Sequence, residues 1–280
     1  MSPIADSEDR TLLGGFERAL VEDRLALVYQ PKIDLSTGKL LRVEALVRWE
    51  DETYGAVPPA RFVPLAERHG LIDPLTHWGL DAAFAQWKSW RDAGIDTGLA
   101  FNISAISLNK LGFPDLVERK CAEHDLPVDQ LVLELTESAT QPLVNLMDTL
   151  TRFRIKGIGL AIDDFGAGYS SLIHLRQLPF TELKIDRFFT NDAVRSRESR
   201  AIIRSIIGLA HDLGILATGE GVESDTQLHM LRAAGADIAQ GYRIARPLPP
   251  TDLPAWIDRW SRDWATLQAD GEDDPNAASI

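Results

Sequence analysis

The sequence has one cysteine, Cys121, among 280 residues. That excludes an intramolecular disulfide and any zinc or iron–sulfur site built from several thiolates. It also lacks an uninterrupted apolar run of the roughly 18 residues that suggest a membrane span. The longest candidate, 201–217, is broken by Arg204, His211 and Asp212. Residues 1–10 have neither the basic start nor the apolar centre of a secretory leader, so a cytoplasmic protein is expected, without membrane insertion. Positive charge is in deficit, with 29 Lys plus Arg against 42 Asp plus Glu, a net charge of −13. Duplex nucleic acid is therefore a poor partner, because phosphate contacts need clustered Lys and Arg. The six histidines show no HxH or HExxH spacing, and each reads as a surface or core residue.

What is present is an ordinary globular composition, 45% hydrophobic and 25% charged, in a chain long enough for two domains or one α/β barrel. Eight short apolar segments read as strands: 25–30, 40–49, 99–103, 131–135, 159–162, 182–185, 215–218 and 238–240. From the third onward they alternate with amphipathic helices. One spans 142–155 and another 199–213, the second with Ile202, Ile203, Ile206, Ile207, Ala210 and Leu213 on one face. Apolar strands between helices indicate a parallel sheet covered on both sides. Eight such units predict one (β/α)8 TIM barrel over 11–267, between a flexible N-terminus (1–10) and an acidic, disordered tail (268–280). Only residues 33–39 join strands one and two. A parallel crossover needs about a dozen residues, so the barrel is modified, with its first strand antiparallel to the rest.

Catalytic groups of such barrels sit where strands end. Strand two carries Glu44 and strand three ends at Asn102. Strand four supplies Glu134 and Glu137, strand five Asp163 and Asp164, strand six Lys184 and Asp186, strand seven Glu220 and Glu223, and strand eight Gln240. A lone Asp or Asn after a strand is ordinarily a helix cap. Five carboxylates around one rim (Glu44, Glu134, Asp163, Asp164, Glu220) repel one another, and burying even one unpaired charge costs several kcal/mol. Bound cations resolve that conflict. An all-oxygen donor set with no His or Cys suits Mg²⁺ or Mn²⁺ rather than zinc, and the adjacent Asp pair suits two ions. Two such ions can clamp both oxygens of an in-line phosphodiester displacement, with Lys184 orienting the water or neutralising charge and Glu220 taking the proton.

These residues stand in ordered strings: Tyr29-Gln30-Pro31, Glu44-Ala45-Leu46-Val47-Arg48, Asn102-Ile103-Ser104, Glu134-Leu135-Thr136-Glu137, Asp163-Asp164-Phe165-Gly166-Ala167-Gly168-Tyr169-Ser170-Ser171, Leu183-Lys184-Ile185-Asp186, Glu220-Gly221-Val222-Glu223 and Gln240-Gly241-Tyr242. In that order and spacing, the chain resembles the EAL-domain family of cyclic di-GMP phosphodiesterases over about residues 11–250. The resemblance implies metal ligands at Glu44, Asn102, Glu134, Asp163, Asp164 and Glu220, a catalytic lysine at Lys184 and a general base at Glu220. It implies Glu137 as anchor of the loop 163–171, which in the family couples metal site to dimer interface, and hence a homodimer. Substrate contacts fall on Gln30, Arg48, Asp186, Glu223, Gln240 and Tyr242, and the implied reaction opens cyclic di-GMP to linear pGpG.

Three places depart from the family pattern. Residues 50–55 replace a common His-Pro, Gly219 replaces a usual Ala, and Arg243-Ile244 replaces apolar or aromatic residues. The first and third are expected at the substrate mouth. The competing reading is a non-catalytic cyclic di-GMP receptor, but the complete ligand set, with Lys184, favours the enzyme. A metal hydrolase for another phosphodiester is a third reading, because metal ligands do not specify substrate.

Overall fold

The computed structural model describes residues 3–22, 24–136, 143–166 and 172–272. Its elements run α1 (Pro3–Val21), β1 (Leu25–Asp34), β2 (Leu40–Asp51), β3 (Gly55–Val57), α2 (Pro59–Arg68), α3 (Ile72–Asp92), β4 (Gly98–Asn102) and α4 (Phe113–Glu123). They continue with β5 (Leu131–Thr136), α5 (Leu143–Ile155), β6 (Gly159–Phe165), α6 (Leu172–Gln177), β7 (Glu182–Ile185) and α7 (Arg187–Asp192). The chain ends with α8 (Arg197–Asp212), β8 (Leu216–Gly219), α9 (Asp225–Ala233), β9 (Ile238–Ala239) and α10 (Leu253–Glu272).

Strands β1, β2 and β4 to β9 close into an eight-stranded barrel. Strand β1 is antiparallel to both its neighbours, β2 and β9, and the other barrel pairings are parallel. The tight β1–β2 connection explains the reversal. Asp34 Oδ1 accepts from the backbone N–H groups of Ser36 (2.9 Å) and Thr37 (2.7 Å), which turns the chain at once.

Three expectations need correction. Helix α1 begins at Pro3, so most of the segment expected to be flexible is helical. Its acidic early residues favour a helix N-terminus, and Glu8 and Asp9 reach Arg61 (3.9 Å) and Arg68 (3.5 Å) of α2. Helix α10 continues to Glu272, past the expected end at 267, and 273–280 lie outside the described residues. The third concerns residues 50–55, which form the β2–β3 turn, with Asp51 Oδ1 accepting from the N–H of Thr53 at 2.8 Å. Among the described residues none of the six lines the acidic cavity described below.

The core continues from barrel to helices. Trp87 and Trp90 are buried and donate their indole N–H to Thr97 O (2.7 Å) and Pro250 O (3.1 Å), as core packing predicts. Cys121 is fully buried and its thiol is pushed up to about 12 by burial, an inert hydrophobe. Trp260 of α10 donates to Gly38 O (2.8 Å), closing the barrel end opposite the site. Among the described residues no helix is long and apolar enough to cross a membrane.

Candidate active site

Side chains alternate along a strand, so residues two apart share a barrel layer's direction and stack in depth. At the C-terminal ends of the parallel strands, this alternation turns Glu44, Glu134, Asp163 and Lys184 toward one point, joined by Glu220 just past β8. Lys184 Nζ lies 2.6 Å from Glu134 Oε2, 2.8 Å from Glu220 Oε1, 2.9 Å from Asp163 Oδ1 and 3.9 Å from Glu44 Oε2. Asn102 Nδ2 donates to Glu44 Oε1 (2.6 Å) and Gln240 Nε2 to Glu44 Oε2 (2.6 Å) and Gln30 Oε1 (3.1 Å). Gln30 and Glu44 are direct cross-strand partners, which explains how one glutamine bridges both.

Burial alone would strip the proton from Lys184. The carboxylates of Glu134, Glu220, Glu44 and Asp163 outweigh it and hold the ammonium well above its ordinary range. Burial pushes Glu220 up to about 8; Asp163 and Glu44 add to the rise and Lys184 opposes it. Asp164, on a left-handed backbone (φ 55°), is raised to about 6 by burial and by the charges of Asp163 and Asp186.

One carboxylate oxygen from each of Asp163, Asp164 and Glu220 lies within 4.8 Å of the other two, close enough to hold a cation together. Gln240 Oε1 is buried with no hydrogen-bond partner among the described residues, so the protein groups alone leave the site unsatisfied. Every donor is a hard oxygen, which fits a divalent ion of the Mg²⁺ or Mn²⁺ class.

The cavity above has a volume of about 250 Å³. Of the expected substrate contacts, Gln30, Glu223, Gln240 and Tyr242 line it. Arg48 does not; past Glu44 on β2, its guanidinium donates to Val47 O at 2.8 Å. Asp186 does not line it either; it caps α7, accepting from Phe188 N–H at 2.7 Å, and neighbours Asp164. Arg243 is also turned away from the mouth, paired with Asp225 and with Asp263 (2.7 Å) over Trp260, which corrects its expected place. Glu137 and residues 167–171 lie outside the described residues.

Sequence reasoning missed Arg187, which lines the cavity with no ion pair among the described residues. It also missed a polar layer beneath the site. Lys32 Nζ, fully buried, lies 2.6 Å from Glu134 Oε1 and 3.0 Å from Glu182 Oε1. Arg42 Nη1 lies 2.6 Å from Glu182 Oε2, and Thr218 Oγ1 donates to Glu182 Oε1 at 2.6 Å. Each stands two residues from a named neighbour (Gln30, Glu44, Lys184, Glu220), a periodicity that would have found the layer.

With the geometry in place, comparison decides the family. The EAL domain profile matches residues 15–247. The chain belongs to the EAL domain family. A cyclic di-GMP phosphodiesterase of Pseudomonas aeruginosa, PA2567, is 40% identical over 261 residues, covering 92% of this chain and 44% of its own length. The bifunctional diguanylate cyclase/cyclic di-GMP phosphodiesterase MucR of the same organism is 39% identical over 252 residues, covering 89% and 37%. This EAL chain thus spans less than half of these curated relatives. The solved PaMucR phosphodiesterase in its c-di-GMP complex superposes with a TM-score of 0.81 at 39% identity, covering 87% of this chain and 99% of that one. Gly219, where the family usually has Ala, has a local cause: a Cβ there would lie 2.4 Å from Leu231 Cδ1.

Proposed function

We propose that this chain hydrolyses cyclic di-GMP to linear pGpG with the help of two Mg²⁺ or Mn²⁺ ions. The observation that supports this best is the convergence of Glu44, Glu134, Asp163 and Glu220 on one buried lysine, beside the Asp164 carboxylate. Glu44, Asn102, Glu134, Asp163, Asp164 and Glu220 are the residues that would hold the ions. When bound, they supply Lewis-acid polarisation of the phosphoryl oxygens and a more acidic water.

The chain's own residues do the rest. Glu220, which reaches both the Asp163–Asp164 carboxylates and Lys184, would take the proton of the attacking water. Lys184 keeps its charge and offsets the negative charge that builds on the phosphoryl oxygens as the bond to the departing ribose oxygen breaks. Gln30, Gln240, Glu223 and Tyr242 line the space where the nucleotide would lie, with Arg187 as the phosphate-facing cation. Arg48 and Asp186, next to lining residues, remain in the proposal as substrate contacts, and Glu137 as loop anchor.

A homodimer belongs to the same reading. Phe165, beside the Asp pair, shares an apolar groove with Ile202, Ile206 and Leu209 of α8, and Ile202 is 41% exposed. Sedimentation showing only monomer at micromolar concentration, together with full activity, would refute it. The deciding experiment for function is incubation with cyclic di-GMP and Mg²⁺ or Mn²⁺, chromatography of the nucleotides, and an EDTA control. Metal-dependent pGpG is expected. Nucleotide binding without turnover in either metal would favour a receptor.

A further inference from the structure

Below the cluster, Lys32 has no place in the chemistry just described, yet it is fully buried and touches a proposed ligand. Strand β1 runs opposite to its neighbours, so its later residue is the deeper one, and Lys32 enters from beneath. Glu134 is completely buried and bound from both sides: Oε1 by Lys32 (2.6 Å) and Oε2 by Lys184 (2.6 Å). Lys32 is itself held by Glu182, which is fixed by Arg42 and Thr218. Side chains from four strands, β1, β2, β7 and β8, thus brace one carboxylate directly or through Glu182. Burial would discharge the Lys32 ammonium, but Glu134 and Glu182 outweigh it and keep it charged.

The geometry points to Lys32 as a positioning residue that fixes the Glu134 carboxylate for divalent-cation binding, with Glu182, Arg42 and Thr218 as its support. This rests on the metal-dependent reading above. The physical reason is orientation: a ligand carboxylate held by an outer partner has one rotamer, whereas a released one must be reordered each time an ion binds.

Charge and positioning predict opposite signs, which makes the inference testable. Calorimetric titration with Mn²⁺ alone, without nucleotide, is compared between Glu182→Gln and the double variant Lys32→Met/Glu182→Gln. Going from the first to the second removes one positive charge beside the carboxylates, which by Coulomb attraction alone would tighten Mn²⁺. Loss of positioning instead weakens it by about 10–100-fold, the range typical of outer-sphere ligand partners. Thermal melts confirm folding of both, and Lys32→Gln/Glu182→Gln, carrying the same charge change, replaces the double variant if that one does not fold. Equal or tighter Mn²⁺ binding in the Lys32-substituted variant, whatever its melting temperature, overturns the inference. Absence of Mn²⁺ binding by the unsubstituted chain overturns the metal-dependent reading and the inference with it, so the two failures are distinct.

Discussion

Replacing Lys184 with Met removes the single ammonium on which three carboxylates converge at 2.6–2.9 Å. At an effective dielectric constant near 20, each contact is worth roughly 6 kcal/mol of gross attraction. Most of that is offset by the desolvation of the charges, and breaking a buried pair costs about 3–5 kcal/mol net. For a domain of this class each kcal/mol moves the melting temperature by about 2–4 °C, so Lys184→Met in EDTA should melt roughly 6–20 °C below the unsubstituted chain. A divalent cation brings positive charge back among the same oxygens. Mn²⁺ should therefore raise the melting temperature of the variant more than that of the unsubstituted chain. Calorimetric scans of both proteins, with EDTA and with Mn²⁺, measure all four states. A variant melting within about 2 °C of the unsubstituted chain in EDTA would mean that the carboxylates do not depend on Lys184 for their charge. A Mn²⁺ gain no larger in the variant would show that ion and ammonium do not serve the same oxygens. Either result refutes the reasoning.

Glu182 is held down to about 2, against an ordinary value of 4.5: burial raises it, but Lys32 and Arg42 more than offset that. A depressed carboxylate contributes fully above the unfolded value and loses its contribution as pH falls toward the folded one, here roughly 3 kcal/mol between about pH 4.5 and 2. Glu182→Gln should be less stable than the parent at neutral pH and lose less on acidification; parallel stability–pH curves from urea melts would contradict this. Arg187→Ala should raise KM for cyclic di-GMP about tenfold, the loss of a charge-assisted hydrogen bond, with little change in kcat. A fall in kcat at constant KM would place Arg187 elsewhere in the reaction. Gly219→Ala forces a methyl against the fully buried Leu231 and should cost about 1–3 kcal/mol in urea unfolding. An unchanged midpoint would show that Leu231 can move aside.

Much of this protein was legible as a linear pattern. The strand–helix alternation and the seven-residue connection before Leu40 were enough to anticipate a barrel with a reversed first strand, because backbone hydrogen bonding and connection length are local constraints. The polar residues at the strand ends marked Glu44, Glu134, Asp163, Lys184 and Glu220, because charge inside apolar strands is rare unless it serves a site. Side-chain direction near the strand ends was harder to read. Arg243 looked like a mouth residue, yet ion pairs with α9 and α10 took it away, and Asp186 caps α7 while still acting on Asp164.

The depth of the site came from the closed barrel alone. In sequence, Lys32, Arg42, Glu182 and Thr218 are spread across four strands and resemble ordinary strand residues. Closure brings β1, β2, β7 and β8 within reach of one another, and the reversal of β1 carries Lys32 beneath Glu134. Residue type and spacing thus determined the barrel and the acidic rim, which depend on neighbours along the chain. The tertiary structure decided which lysine meets which carboxylate. That choice depends on register and strand direction across residues separated by 102 and 150 positions, and no local pattern encodes it.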